Sequence, residues 1–132
     1  MGKLNIAIVE DEGIVAMEIK RSLQLMGYNI AFISDSGEKA INKLQQSKAD
    51  LVLMDIILKG KMDGIDAARI IVDEMDIPVV FLTAFEDERT QERARLLKTC
   101  GYLVKPFEDS NLSAAIEKAL SNDRNKPVSI TN

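Results

Sequence analysis

Two kinds of segment alternate along the chain. Short runs rich in Val, Ile, Leu and Phe occupy 4–9, 29–33, 51–54, 79–82 and 102–104, and their length and composition suit β-strands. Between them, apolar residues recur about once per helical turn. Val15, Ile19, Leu23 and Met26 form one such stripe and stop before Gly27, a helix terminator. Ala40, Ile41 and Leu44 form the next, behind Asp35 and Glu38 at the spacing of a capping box. Ile65, Ala68, Ile71 and Met75 make a third, Ala94 and Leu97 a shorter fourth, and Leu112, Ala115, Ile116, Ala119 and Leu120 a fifth. All five stripes are read as core contacts.

Five strand-helix units in strict alternation call for a parallel sheet with right-handed crossovers and helices on both faces. The expected fold is therefore a three-layer, doubly wound α/β domain. The 132 residues, 46% of them hydrophobic, fit one domain with a single core. Periodicity fades after residue 121, so 1–121 is expected to be the domain and 122–132 a polar tail or the start of a linker. The longest nearly apolar run, 77–85, is broken by Pro78 and Thr83 and falls well short of the roughly 20 residues that span a bilayer. With no membrane span and no secretory pattern at the N-terminus, a cytoplasmic location is expected.

Composition narrows the chemistry. The chain has no histidine, which removes histidine triads, histidine metal ligands and an autophosphorylated histidine. Its one cysteine, Cys100, has no partner for a disulfide or a zinc site and is read as a small buried hydrophobe. The net charge of -4 argues against direct nucleic-acid binding. Arg89, Arg93, Arg95 and Lys98 are interleaved with Glu86, Asp87, Glu88 and Glu92, the pattern of a solvated helix face.

Carboxylate, hydroxyl and ammonium groups remain, and they collect at strand ends. In an open α/β sheet ligands gather at the carboxyl edge of the strands. The first apolar run ends in Glu10, Asp11 and Glu12, the third in Asp55, the fourth in Thr83, and the fifth in Lys105 followed by Pro106. Taken singly, each has a plain explanation: a helix cap, an ordinary strand residue, a solvated lysine. Four of them on one rim of one sheet are harder to explain that way. Glu10, Asp11 and Asp55 together carry three negative charges against the one positive charge of Lys105, an arrangement that a divalent cation would relieve. Oxygen ligands without His or Cys favour Mg²⁺, with Mn²⁺ open as well, over zinc. Asp55 closes the most apolar strand and is the candidate nucleophile, to be phosphorylated with Mg²⁺ and Lys105 neutralising the phosphoryl oxygens and Thr83 donating to one of them.

These residues resemble the response-regulator receiver domain, the CheY-like phosphoacceptor module of two-component signalling. The resemblance covers roughly residues 3 to 121 and rests on the acidic pair in IAIVEDE, the aspartate of LVLMD, Thr83-Ala84 in VVFLTA and Lys105-Pro106 in GYLVKPF. It implies a flavodoxin-like sheet with strand order 2-1-3-4-5 and a cis peptide before Pro106. It implies Glu10, Asp11, Asp55 and the backbone carbonyl of Ile57 as metal ligands, Asp55 as phosphoacceptor and Lys105 as phosphate binder. Thr83 matches the switch hydroxyl and Tyr102 the aromatic switch. Phosphorylation would then reshape the surface of the fourth helix, fifth strand and fifth helix, a face through which a homodimer is also conceivable. The implied partners are a sensor histidine kinase or phosphotransfer protein, since the chain lacks a histidine of its own, and a downstream target or output domain. The function is signalling rather than enzymatic, and the chain is either a stand-alone receiver or part of a larger regulator or hybrid kinase.

Two departures stand out. Many receivers carry Met-Pro shortly after the phosphoacceptor, whereas here Leu58-Lys59 stand in DIILKGKMDG, with one extra residue before Gly64. The positions two beyond Asp55 and two beyond Thr83, which tune hydrolysis of the acyl phosphate in the family, are Ile57 and Phe85, and neither can orient a water. Competing readings fare worse. A haloacid-dehalogenase-type phosphatase wants a second aspartate where Ile57 stands, a non-phosphorylated relative would ordinarily lack one of the key residues, and a flavodoxin relative wants a phosphate loop in place of EDEGIVAM.

Overall fold

The computed structural model describes residues 3–84, 88–97 and 101–121. Phe85, Cys100, Lys98 and the tail 122–132 lie outside them. Five units follow in order: β1(Asn5–Val9), α1(Gly13–Leu25), β2(Asn29–Ser34), α2(Gly37–Leu44), β3(Leu51–Asp55), α3(Gly64–Met75), β4(Val79–Thr83), α4(Glu88–Arg95), β5(Gly101–Val104) and α5(Asp109–Ser121). The strands form one parallel sheet in the order β2-β1-β3-β4-β5. This is the expected doubly wound domain.

The alternation of side chains along each strand divides the core in two. Ala7, Val9, Val52, Met54, Val79 and Phe81 face α2, α3 and α4, where they meet Ala40, Leu44, Ile65, Ala68, Ile71, Ala94 and Leu97. Ile6, Ile8, Leu51, Leu53, Val80 and Leu82 face α1 and α5, where they meet Ala16, Ile19, Leu23, Leu112, Ile116 and Ala119. Strands covered on both sides must be apolar throughout, which is why they read as continuous runs.

The boundaries differ from the apolar runs in an instructive way. Leu4 lies outside β1 and is 40% exposed, while Ser34, Asp55 and Thr83 are the last residues of their strands, each in register with a neighbour. Asp55 and Thr83 therefore have their backbones fixed by the sheet.

Helix ends account for the remaining differences. The Asp35/Glu38 capping box does not form. Ser36, in extended backbone directly before Gly37, caps α2 by accepting from Lys39 N. Asp35 instead pairs with the Lys39 ammonium at 3.2 Å, and Glu38 turns to the loop after β3. Nor does an acidic side chain cap α1, because Glu12 makes no cap hydrogen bond. Gly27 does end α1, with φ 97°, where a residue with a Cβ would be strained.

Candidate functional site

Asp55 is placed by β3, buried along its whole length, and by Gly64 at the start of α3. Gly64 N donates to Ile56 O at 2.7 Å, and a Cβ on Gly64 would run into the Asp55 carbonyl oxygen and Ile56 Cα. The strand end and the helix start touch, so only a hydrogen fits as the side chain. The Asp55 carboxylate accepts from Ile57 N at 3.2 Å through Oδ1.

Glu10 leaves β1 beside it. Its backbone N–H donates to Ser34 O at 2.9 Å, and its Oε2 accepts from Glu12 N at 3.2 Å. Lys105 follows β5. Its N–H donates to Thr83 O at 2.7 Å, the peptide to Pro106 is cis, and its ammonium lies 2.9 Å from Glu10 Oε1 and 3.3 Å from Asp55 Oδ2. One oxygen from each of Glu10, Asp11 and Asp55 lies within 4.8 Å of the others. Of the strand-end residues expected to converge, Glu10, Asp11, Asp55 and Lys105 therefore do so, and an oxygen-only cluster of this kind could hold a metal ion.

Electrostatics match the crowding. Burial, then the neighbouring Glu10 charge and carboxyl contact, push the Asp55 carboxyl up to about 7 against the opposing pull of Lys105. Burial pulls Lys105 down, but its hydrogen bond to Glu10 and the charges of Asp55 and Glu10 outweigh that and hold the ammonium above its ordinary range. The carboxylates are short of positive charge.

Asp55 opens into a cleft of about 410 Å³ lined by Asp11, Glu12, Ile57, Lys59, Ala84 and Lys105. Ile57 is 55% exposed on its wall. Thr83 is buried at the end of β4, and Ala84, next in the chain, lines the cleft. Tyr102 lies elsewhere: half-buried on β5, it packs against the α2–α3–α4 core face opposite α1 and α5.

Three contacts around the site escaped the sequence. Glu38 Oε2 accepts from Lys61 N at 2.9 Å, Ser36 forms an isolated parallel bridge with Lys59, and Arg93 on α4 grips Asp63 at 2.8 Å and Asp66 at 3.2 Å on α3. The longer loop after Asp55 carried a signal, because a run with Gly60 and two lysines replaces the expected proline. The contacts of Glu38 and Arg93 join segments far apart in sequence and left none.

A model of the response regulator receiver domain matches residues 6–117. The chain belongs to that family. As a receiver it is 40% identical over 119 residues to the transcriptional regulatory protein PdtaR of Mycobacterium tuberculosis, covering 90% of this chain and 58% of PdtaR. It is 32% identical over 117 residues to the phyllosphere-induced regulator PhyR of Methylorubrum extorquens, covering 87% and 43%. The receiver thus spans about half the length of these curated relatives. Among solved structures, the signal receiver domain of a modulated diguanylate cyclase from Desulfovibrio desulfuricans superposes with a TM-score of 0.85 at 30% identity, covering 92% of this chain and 96% of that one. The receiver domain of PhyR from Erythrobacter litoralis gives 0.78 at 30%, covering 94% and 95%. No helix among the described residues is long and apolar enough to cross a membrane.

Proposed function

We propose that this receiver takes a phosphoryl group onto Asp55 from a phosphohistidine of a sensor histidine kinase or phosphotransfer protein, and thereby switches the α4–β5–α5 surface toward a downstream partner or output. An Asp55 oxygen attacks phosphorus, the P–N bond breaks, and the electron pair leaves with the imidazole. The observation that carries this reading is the double ion pair of Lys105 with Glu10 and Asp55: a nucleophilic carboxylate fixed at a strand end, with an ammonium already beside the place where phosphoryl oxygens would lie. Lys105 neutralises those oxygens, and Thr83 at the adjacent strand end supplies a hydroxyl to them.

The oxygen-only donor set of Glu10, Asp11 and Asp55 fits Mg²⁺, with Mn²⁺ as the alternative, and we assign the Ile57 backbone carbonyl as a further ligand. A bound Mg²⁺ supplies charge neutralisation for the incoming phosphoryl group. Tyr102 serves as the aromatic switch, and the exposed apolar side chain of Ile57, which cannot direct a water, favours a long-lived acyl phosphate. Action in the cytoplasm and a homodimer through the α4–β5–α5 face belong to the same reading.

Incubation with acetyl phosphate and Mg²⁺, read by intact mass, tests it. Wild type should gain one phosphoryl group, Asp55→Asn none, and chelation of the metal should abolish the gain. Once donor is removed, Ile57→Asn should lose the group faster than wild type. Undiminished labelling of Asp55→Asn would refute the assignment.

A further inference from the structure

The loop between Asp55 and Gly64 is one residue longer than the family pattern and carries Lys59 where that pattern has proline, yet it is held in place rather than loose. The Ser36–Lys59 bridge fixes its middle, and the Glu38 carboxylate receives Lys61 N at 2.9 Å. Gly60, at φ 101°, makes the turn between these two anchors, directly against Glu38. Both anchors come from the start of α2, so the β3–α3 loop is docked on a neighbouring element.

The docking puts Lys59 on the wall of the phosphoacceptor cleft, across which Asp55 and Lys105 also stand. The two lysines differ in one respect. Lys105 is committed to Glu10 and Asp55, whereas Lys59 is exposed and makes no ion pair within 4.0 Å among the described residues. Asp35 feels its charge, but Asp35 is already paired with Lys39 at 3.2 Å. A free ammonium at the mouth of a cleft whose floor is crowded with carboxylates opposes the repulsion that an anionic donor meets on entry.

We infer that Lys59 is an anion-recognition residue of this receiver, engaging the phosphoryl oxygens of an incoming acyl phosphate before and during transfer to Asp55, with Glu38 as the residue that positions its loop. This rests on Asp55 being the phosphoacceptor. In the transfer the donor's P–O bond breaks, the new P–O bond forms to Asp55, and the carboxylate leaving group departs with the electron pair. Lys59 exchanges no proton and contributes charge alone.

The test is the second-order rate of labelling by acetyl phosphate in saturating Mg²⁺, for wild type, Lys59→Met, Lys59→Arg and Glu38→Gln. Lys59→Met should slow labelling by about three- to tenfold, Lys59→Arg should retain most of the rate, and Glu38→Gln should fall between. The wild-type advantage over Lys59→Met should shrink as ionic strength rises from about 0.01 to 0.15 M, over which the screening length falls from about 30 to 8 Å. Equal rates for wild type and Lys59→Met overturn the inference, and so does an equal loss in Lys59→Met and Lys59→Arg, which would mark a role for loop shape instead of charge. Absence of labelling in wild type, or labelling that survives in Asp55→Asn, is the separate failure of the phosphoacceptor reading.

Discussion

Asp55 and Gly64 are nine positions apart in sequence and in contact in space, and the contact shows how little room this receiver leaves at the proposed phosphoacceptor. Gly64→Ala would drive a methyl group into the Asp55 carbonyl oxygen. Neither side can yield, since the neighbours are buried backbone atoms of Asp55 and Ile56 and Gly64 itself begins a helix. The expected loss is about 3 kcal/mol, at the upper end of overpacking costs, read as a lower urea midpoint with unchanged slope. Labelling by acetyl phosphate should slow as well, because the shift is applied to the proposed phosphoacceptor. Unaltered stability would show that the loop gives way freely. At this scale the sequence was informative wherever polarity broke an apolar run: Glu10, Asp55, Thr83 and Lys105 all interrupt or end one. Gly64 was visible only as a glycine in a loop, because the need for it arises from the approach of two backbones.

Among the elements, α4 is the most weakly attached. Of its eight residues only Ala94 is buried, with Leu97 just beyond it, and the cross-helix grip of Arg93 on Asp63 and Asp66 supplies a second hold. Asp63 also caps α3, accepting from Asp66 N at 2.9 Å, so one carboxylate joins the helix that follows the Asp55 loop to the helix of the proposed switch surface. Partial burial raises the Asp63 carboxyl, but the Arg93 hydrogen bond, the Asp66 N–H and the Arg93 charge prevail and hold it below its ordinary value of 3.8. A depressed carboxyl stabilises the fold above its unfolded value, and the contribution fades as the pH falls through the folded one. Arg93→Met should therefore cost about 0.5–1 kcal/mol near neutrality, as expected for a half-exposed pair, and the gap to wild type should close between about pH 5 and 3. Amide exchange in α4 should be faster in the variant. A gap that stayed constant down to pH 3 would assign the loss to packing. The sequence marked α4 only as a short stripe on a charged face; its partner is supplied by α3, and no local pattern announces an ion pair between residues 30 apart. The Ser36 cap was hidden for a nearer reason, since Asp35 and Ser36 are both good capping residues and only the backbone decides between them.

For the molecule as a whole, the alternation of apolar runs and stripes was enough to give a sheet covered on both faces, but not the order of its strands, which came with the family resemblance. That order decides the charge balance. It sets β1 directly beside β3, so Glu10 and Asp11 meet Asp55, and it leaves Lys105 to reach them from β5 at the far edge. Folding without metal thus brings three acidic groups within 4.8 Å under the partial cover of one ammonium, and their repulsion opposes the native state. An ion that binds the folded cluster and not the unfolded chain must stabilise the protein by mass action, about 1.4 kcal/mol at ten times its dissociation constant, or roughly 3 to 6 °C in Tm for a domain of this size. Asp11→Asn separates the two effects. With chelator present it should melt at or above wild type, because a repulsive charge is gone. With Mg²⁺ present it should lose most of the wild-type gain, because a ligand is gone, and the order of the two proteins should reverse. Thermal melts of both, across a Mg²⁺ titration at fixed ionic strength, read this directly; equal gains in the two proteins would place the ion somewhere other than among Glu10, Asp11 and Asp55.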